Sequence, residues 1–231
     1  MTYETLVQTL SSEINIDSNM VANLKRYSSL LIEWNEKMNL TAIKEEGEIV
    51  EKHFLDSLLP AKSPLFIGNR IADIGTGAGF PGLVYAIVFP NKKIVLVEAT
   101  GKKCTFLEAV KKALNLQNVT ILNTRAEDLT ERDTFDITIA RALAPLNVLL
   151  EILVPWTKVH GKVVAMKGEK GEEEMIGASK AIKELGIKLL NKDEGILPEC
   201  QEKRINYFFE KETKTFKRYP RTWAEIVKKP L

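Results

Sequence analysis

A run of glycines set between a β-branched strand pattern and an apolar helix pattern is the feature that most narrows what this chain can fold into. It reads Ile71-Ala72-Asp73-Ile74-Gly75-Thr76-Gly77-Ala78-Gly79-Phe80-Pro81-Gly82. The spacing predicts a strand over Arg70–Ile74 and a helix over Pro81–Phe89, with the proline in the first helical turn, where its missing N–H is harmless. Glycines between the two let the backbone bend sharply and let a ligand approach without meeting a Cβ. Gly77, Gly79 and Gly82 satisfy the G-x-G-x-x-G spacing of a dinucleotide turn. Glu98 stands roughly twenty residues on, after a second β-branched run at Lys93–Val97, where a carboxylate can accept from a ribose diol. Strand, glycines, helix and acid together predict a nucleoside-bearing ligand. They do not choose between a nicotinamide dinucleotide and S-adenosylmethionine.

The rest of the chain alternates. Strand-like runs at Val119–Leu122, Phe135–Ala140 and Lys162–Met166 are separated by helical patterns at Lys102–Leu114, Leu146–Leu153 and Glu172–Leu185, the last closed by Gly186. Such alternation demands crossover connections and so a mainly parallel sheet. Ile187–Leu190 and Ile205–Glu210 follow with no helix between them, which predicts an antiparallel edge hairpin with a long loop around Gly195–Pro198. The first sixty-odd residues differ. Residues 4–14 read as a short helix, and Asp17 and Ser18 are suited to cap a second. Met20, Leu24, Tyr27, Leu30, Leu31 and Trp34 then recur at helical spacing to near Asn35–Asn39. A third helix is expected over Glu48–Leu59, stopped by Pro60. The expected organisation is a helical extension, residues 1–65, and a sheet domain, residues 66–231, with a basic C-terminal segment.

Composition excludes several classes. With 45% hydrophobic and 28% charged residues, 231 residues can bury a sizeable core. No apolar run approaches the roughly twenty residues of a membrane helix. The first residues lack the layout of a signal peptide. Cys104 and Cys200, with only His53 and His160 to help, predict no metal centre and fit a reducing cytoplasm. Cys104 reads as a small buried hydrophobe. Residues 203–231 carry nine Lys and Arg against three Glu, while residues 1–65 carry six against ten Asp and Glu. A basic end on a nearly neutral body suggests a polyanionic partner there.

Two acidic features favour S-adenosylmethionine over a dinucleotide. Asp73 stands where a carboxylate would meet a cationic amino-acid end and would repel a pyrophosphate. Ala126-Glu127-Asp128 follows the third strand, where an acid can accept from an adenine amine.

At this point a family resemblance becomes visible. The segments Trp34-Asn35-Glu36-Lys37-Met38-Asn39-Leu40-Thr41-Ala42-Ile43, His53-Phe54-Leu55-Asp56-Ser57-Leu58, the glycine turn from Asp73 to Gly82, Arg125-Ala126-Glu127, Arg141-Ala142-Leu143-Ala144-Pro145-Leu146, Lys167-Gly168 and Tyr219-Pro220-Arg221 run in unbroken order. They resemble the small-subunit ribosomal RNA methyltransferase G family, also called the glucose-inhibited division protein B family. The resemblance implies a class I S-adenosylmethionine-dependent fold: Rossmann-like, with a mainly parallel seven-stranded sheet and an antiparallel edge strand. It implies methylation of a guanine N7 in a decoding-region loop of 16S ribosomal RNA. It also implies that Gly75, Phe80, Ala126, Glu127 and Arg141 hold the cofactor, to which the spacing argument adds Asp73, Gly77, Gly79 and Glu98. The terminal Thr222–Pro230 stretch departs from the family pattern, so a differently shaped terminal loop is expected there.

Guanine N7 carries an in-plane lone pair, so no general base is required, and the work expected of the enzyme is positioning and charge management. Arg141 and Lys167, at the ends of the fourth and fifth strands, are the positioning candidates. Lys203, Arg204, Lys211, Lys214, Lys217, Arg218 and Arg221 supply phosphate-contact capacity, with Tyr219 as a stacking group. His53 and Asp56 are read as anchoring the helical extension, and Trp34 as core. The expected partner is small-subunit ribosomal RNA, the 30S subunit or an assembly intermediate, met by a cytoplasmic, monomeric enzyme. Open alternatives are a same-fold methyltransferase for another RNA, a small molecule or a protein, a nicotinamide-dependent oxidoreductase, and a non-catalytic ribosome-assembly factor.

Overall fold

The computed structural model describes residues 1–231. A seven-stranded sheet forms its centre, in the spatial order β3-β2-β1-β4-β5-β7-β6. The strands are β1 (Arg70–Ile74), β2 (Lys93–Val97), β3 (Val119–Leu122), β4 (Phe135–Arg141), β5 (Thr157–Lys167), β6 (Ile187–Ile196) and β7 (Lys203–Lys211). β1 to β5 are mutually parallel, and β7 lies antiparallel to both β5 and β6. β1 to β4 match the sequence expectation to within a residue. β6 is longer than expected, running to Ile196, so the turn to β7 is shorter than the loop anticipated around Gly195–Pro198.

Strand order reverses next to β1. From there the chain builds outward through β2 and β3, then crosses to build β4 and β5 on the other side. A crevice opens at the carboxyl ends of strands where order reverses in this way. The register sets what meets there. Ile74 pairs with Val97, and Asp73 with Ile139, which brings the residues just beyond β1, β2 and β4 to one edge.

The helices α1 (Tyr3–Leu10) and α2 (Ser18–Met38) open the chain. Asp17 caps α2 by accepting from the Met20 N–H at 2.8 Å, as its position predicts, and Asn39 closes the helix in a left-handed conformation at φ 49°. The expected third helix is irregular: α3 (Glu46–Ile49), a π-helical turn (Val50–Leu55), α4 (Asp56–Leu58) and a 3₁₀ turn (Leu59–Lys62) follow without a break. Pro60 therefore does not stop it but sits inside the closing 3₁₀ turn.

Crossover helices complete the layers: α5 (Gly82–Val88), α6 (Gly101–Ala113), α7 (Leu146–Leu153), α8 (Gly171–Gly177) and α9 (Ser179–Glu184), with α10 (Trp223–Lys228) after β7. The single helix expected over Glu172–Leu185 is two. No helix is long and apolar enough to cross a membrane.

The N-terminal helices share their core with one face of the sheet. Leu24, Tyr27 and Leu31 of α2 and Phe54 of the π turn are fully buried, in one cluster with Ile71, Leu83, Leu96 and Ile139. Tyr27 lies 5.6 Å from Phe54 and 5.3 Å from Phe80, centroid to centroid. Burying such a ring contributes on the order of 2 kcal/mol. The same residue reaches the glycine turn, its hydroxyl donating to the Ala78 carbonyl at 2.5 Å. The helical extension thus braces the turn from behind.

Candidate active site

A cleft of about 460 Å³ opens over the carboxyl ends of β1, β2 and β4. The glycine turn forms its floor. Gly75 has φ +70°, and a Cβ there would lie 2.6 Å from Leu143. Gly77 has φ +62° and faces open space, with nothing nearer an added Cβ than the Gly75 carbonyl at 4.0 Å. The turn therefore presents bare backbone to the cleft. Glu98, just beyond β2, accepts from the Gly77 N–H at 3.0 Å through Oε2 and from the Thr100 N–H at 2.8 Å through Oε1. Each carboxylate oxygen keeps a further lone pair for a ligand. Ala126 and Glu127 lie in a 3₁₀ turn beyond β3 and line the same side.

Arg141 ends β4 on the opposite side of the glycine turn. Its Nη1 donates to the Lys52 carbonyl and to Asp56 Oδ2, both at 2.9 Å, and its Nη2 to His53 Nδ1 at 3.0 Å. The guanidinium lies over the Phe80 ring, 5.0 Å from its centroid, and the His53 imidazole stacks on that ring at 4.3 Å. Asp56 also accepts from Arg204 Nε at 3.0 Å, so one buried carboxylate joins two arginines. His53 and Asp56 thus meet through Arg141 and do not bond each other. Burial, reinforced by the charge of Arg141, brings the His53 pKa down to about 3.

A second chamber of about 730 Å³ adjoins the cleft and shares His53, Arg141, Ala142 and Leu143 with it. Lys52, Arg141, Lys167 and Arg204 face Asp56, Glu174 and Glu202 in its lining. The excess of one cation makes it a weakly positive space.

Several expected site residues lie elsewhere. Asp73 is fully buried beneath the turn, where Oδ2 accepts from Thr76 Oγ1 at 2.5 Å and from the Gly82 N–H at 2.8 Å. Side chains alternate along a strand, and this alternation turns Asp73 toward α5. Its Oδ1 has no partner in the chain, and burial raises its pKa to about 6. Gly79 is not in the lining either; a Cβ there would run into Leu83 and the Tyr27 hydroxyl. Lys167 donates to the Ala144 carbonyl at 2.5 Å and pairs with Glu174 at 2.7 Å, which places it in the second chamber and not over the cleft.

The basic end is corrected most. Lys211 is fully buried, donating to Asp133, Val154 and Thr157. Arg221 grips the fully buried Glu151 through Nε at 2.8 Å and Nη2 at 2.5 Å. Lys203 lies between Glu172 and Glu194, Arg204 between Asp56 and Glu202, and Arg218 against Glu184. Tyr219 is buried and donates to Glu184. Charge counting along the sequence does not show that these cations already have acids. Lys214 and Lys217 are exposed and free of such partners. Residues to which the sequence assigned no site role also line the cleft: Leu40, Thr41 and Leu143, which lie inside the motif segments, and Lys103, Thr124 and Trp223, which lie outside them. For Trp223 a signal exists in Thr222-Trp223-Ala224-Glu225, a capping box that starts α10.

Known proteins resemble this chain over most of its length. Residues 20–207 match the family model described as rRNA small subunit methyltransferase G. The chain is 43% identical over 218 residues to the Ribosomal RNA small subunit methyltransferase G of Mycoplasma capricolum, covering 92% of each chain. It is 40% identical over 225 residues to the protein of the same name in Lactococcus lactis, covering 95% of this chain and 94% of that one. Among solved structures, a SAM dependent methyltransferase from Aquifex aeolicus superposes with a TM-score of 0.57 at 16% identity, over 74% of this chain and 97% of that one. At that identity the likeness shows the fold.

Proposed function

The chain belongs to the rRNA small subunit methyltransferase G family, and we propose that it methylates N7 of a guanine in a decoding-region loop of 16S ribosomal RNA. The observation that carries this reading is the pairing of two spaces across Arg141. One has a nucleoside's complement of partners, and the other is a weakly cationic chamber that opens beside it.

The cofactor is S-adenosylmethionine, and the cleft fits it on three counts. Gly77 leaves room for close approach. Glu98 keeps acceptor capacity for ribose hydroxyls, and Ala126 and Glu127 stand where an adenine edge would meet them. The unpartnered, buried Asp73 Oδ1 puts negative potential under the turn, which suits a cationic ligand. When bound, the cofactor supplies a sulfonium methyl whose C–S bond breaks as the bond to N7 forms, leaving a neutral thioether and a cationic guanine with no proton displaced.

The protein's part is positioning and exclusion. Arg141 is held by His53, Lys52 and Asp56 at the junction of the two spaces. Two of its five N–H groups remain free to orient an anionic group of cofactor or RNA. No residue need act as a base, because the N7 lone pair is available at neutral pH. The RNA approaches from the chamber side, where Lys52, Lys167 and Arg204 contribute field more than direct contacts, since each is already paired. Exposed Lys214 and Lys217 are left as phosphate contacts of the basic segment. The substrate is naked RNA, the 30S subunit or an assembly intermediate, in the cytoplasm, and the enzyme acts as a monomer. The boundary near residue 65 separates a bracing extension from the methyltransferase domain.

Transfer of labelled methyl to small-subunit RNA, with the product mapped to a borohydride- and aniline-sensitive guanine, tests this reading. Transfer to a base that is not cleaved would point to the same fold acting on another atom. Binding of NAD in competition with S-adenosylhomocysteine would favour an oxidoreductase.

A further inference from the structure

Thr41, in the stretch after α2, is held on every side but one. Asn35 of α2 clamps its main chain, with Nδ2 donating to the Thr41 carbonyl at 2.8 Å and Oδ1 accepting from the Thr41 N–H at 2.9 Å. The Ile43 N–H donates to Thr41 Oγ1 at 3.1 Å, and His53 Nε2 lies 2.9 Å from the same oxygen. The direction of this last bond is set on the far side of the imidazole. Arg141 Nη2 is 3.0 Å from His53 Nδ1, and a guanidinium has hydrogens to give and no acceptor. Nδ1 must therefore accept, the neutral ring carries its proton on Nε2, and Nε2 donates to Thr41. The lowered pKa of His53 agrees with a neutral ring.

Thr41 Oγ1 thus accepts two N–H bonds, which uses both lone pairs of a hydroxyl oxygen. Only its hydrogen is left, and no atom of the chain accepts it. A hydroxyl is ordinarily ambivalent, able to give or to take. This one can only give. It lines the cleft together with His53, Phe80 and Arg141, and His53 ties it to Arg141 at the end of β4.

We propose that the Thr41 hydroxyl is the hydrogen-bond donor that reads O6 of the acceptor guanine and so selects guanine over adenine. The assignment rests on N7 methylation as read above. Guanine shows two acceptors on its major-groove edge, N7 and O6, whereas adenine shows an amino donor in place of O6. With the N7 lone pair turned to the methyl, O6 is the edge atom left to hold. A neutral donor suits it, since the ring becomes cationic and an added positive charge beside it would oppose the reaction. The free N–H groups of Arg141 are charged and better matched to a phosphate or carboxylate. Because both lone pairs of Thr41 are occupied, the hydroxyl cannot turn to accept from an adenine amine, and that base meets donor against donor.

The test uses RNA carrying guanine, hypoxanthine or 2-aminopurine at the acceptor position. Hypoxanthine keeps N7 and O6, and 2-aminopurine keeps N7 but lacks O6. The wild-type enzyme is expected to methylate guanine and hypoxanthine alike and 2-aminopurine roughly ten- to a hundredfold more slowly, the range of one base-edge contact. Thr41→Val should be slowed by a similar factor on guanine and lose the preference, while Thr41→Ser should keep it. Calorimetric affinity for S-adenosylhomocysteine should agree within about twofold across the three proteins, since the donor acts on the base. Equal wild-type rates on guanine and 2-aminopurine overturn the assignment without any variant. So does an unchanged preference in Thr41→Val, including the case where its cofactor affinity falls instead, which would place the hydroxyl on the cofactor. Absence of any methyl transfer to guanine N7 by the wild-type enzyme would remove the underlying reading, and this assignment with it.

Discussion

Gly75 has the least freedom of the residues in the cleft. Its φ of +70° and the 2.6 Å approach of Leu143 to an added Cβ mean that Gly75→Ala strains the backbone and displaces a neighbour at once. The variant should lose roughly 1–3 kcal/mol of stability in chemical denaturation, and calorimetry should find S-adenosylhomocysteine binding much weakened. His53 and Asp73 make opposite pH demands. His53 has a folded pKa of about 3 against about 6.5 in an unfolded chain. Its contribution is present above pH 6.5 and is lost as pH falls toward 3, a cost on the order of 2 kcal/mol by pH 5. Asp73 is raised to about 6 from an ordinary carboxyl value near 3.9. Its contribution is full below that ordinary value and is lost as pH rises through 6. The two slopes oppose each other between pH 4 and 6, so the contributions of these two groups should largely cancel there. Relative to wild type, His53→Asn should gain stability on acidification from pH 7 to 5 and Asp73→Asn should lose it, read from urea midpoints. Glu98 and the glycine floor are legible in the sequence because their chemistry is local to one turn. Asp73, Gly79 and Lys167 are not, because which way a side chain points at a strand end or turn is decided by packing.

At the level of elements, the parallel strands are legible where they are β-branched runs bounded by a turn signal; residues 157–161, the first part of β5, lie outside the strand expected over Lys162–Met166. The irregular helix over residues 46–62 is not. Its π turn carries His53, and the Lys52 carbonyl within it accepts from Arg141; a π turn is a local departure set by tertiary partners. The segment after β7 misleads for a related reason. Charge counts along a chain take no account of which acids fold back onto it. Glu151 of α7 is fully buried against Arg221. Arg221→Ala should therefore cost about 3–5 kcal/mol, the penalty of stranding a buried charge. The salt dependence of RNA binding by the folded variant should stay as in wild type, and a reduced slope would return Arg221 to the RNA contacts. Thr222→Ala, which removes the capping box of α10, should cost about 1 kcal/mol.

For the molecule as a whole, attraction to RNA should follow the exposed, unpaired cations and not the total count. Exchanging Lys214 and Lys217 together for alanine should flatten the slope of log affinity against log salt by about 0.7 for each single-strand phosphate that these lysines neutralise. Filter binding across a salt series measures this, and an unchanged slope would place the RNA elsewhere. The seating of β7 between β5 and β6 has a consequence for how the polypeptide is made. Ile187–Ile196 is synthesised before its only strand neighbour, and the outer edge of residues 162–167, made earlier still, stays open until the same strand arrives. A nascent chain halted before Lys203 already holds every residue around the donor pocket except Trp223, yet has two sheet margins waiting for the same missing strand. Closing the sheet is therefore an insertion, completed only when late-translated residues thread between segments synthesised earlier.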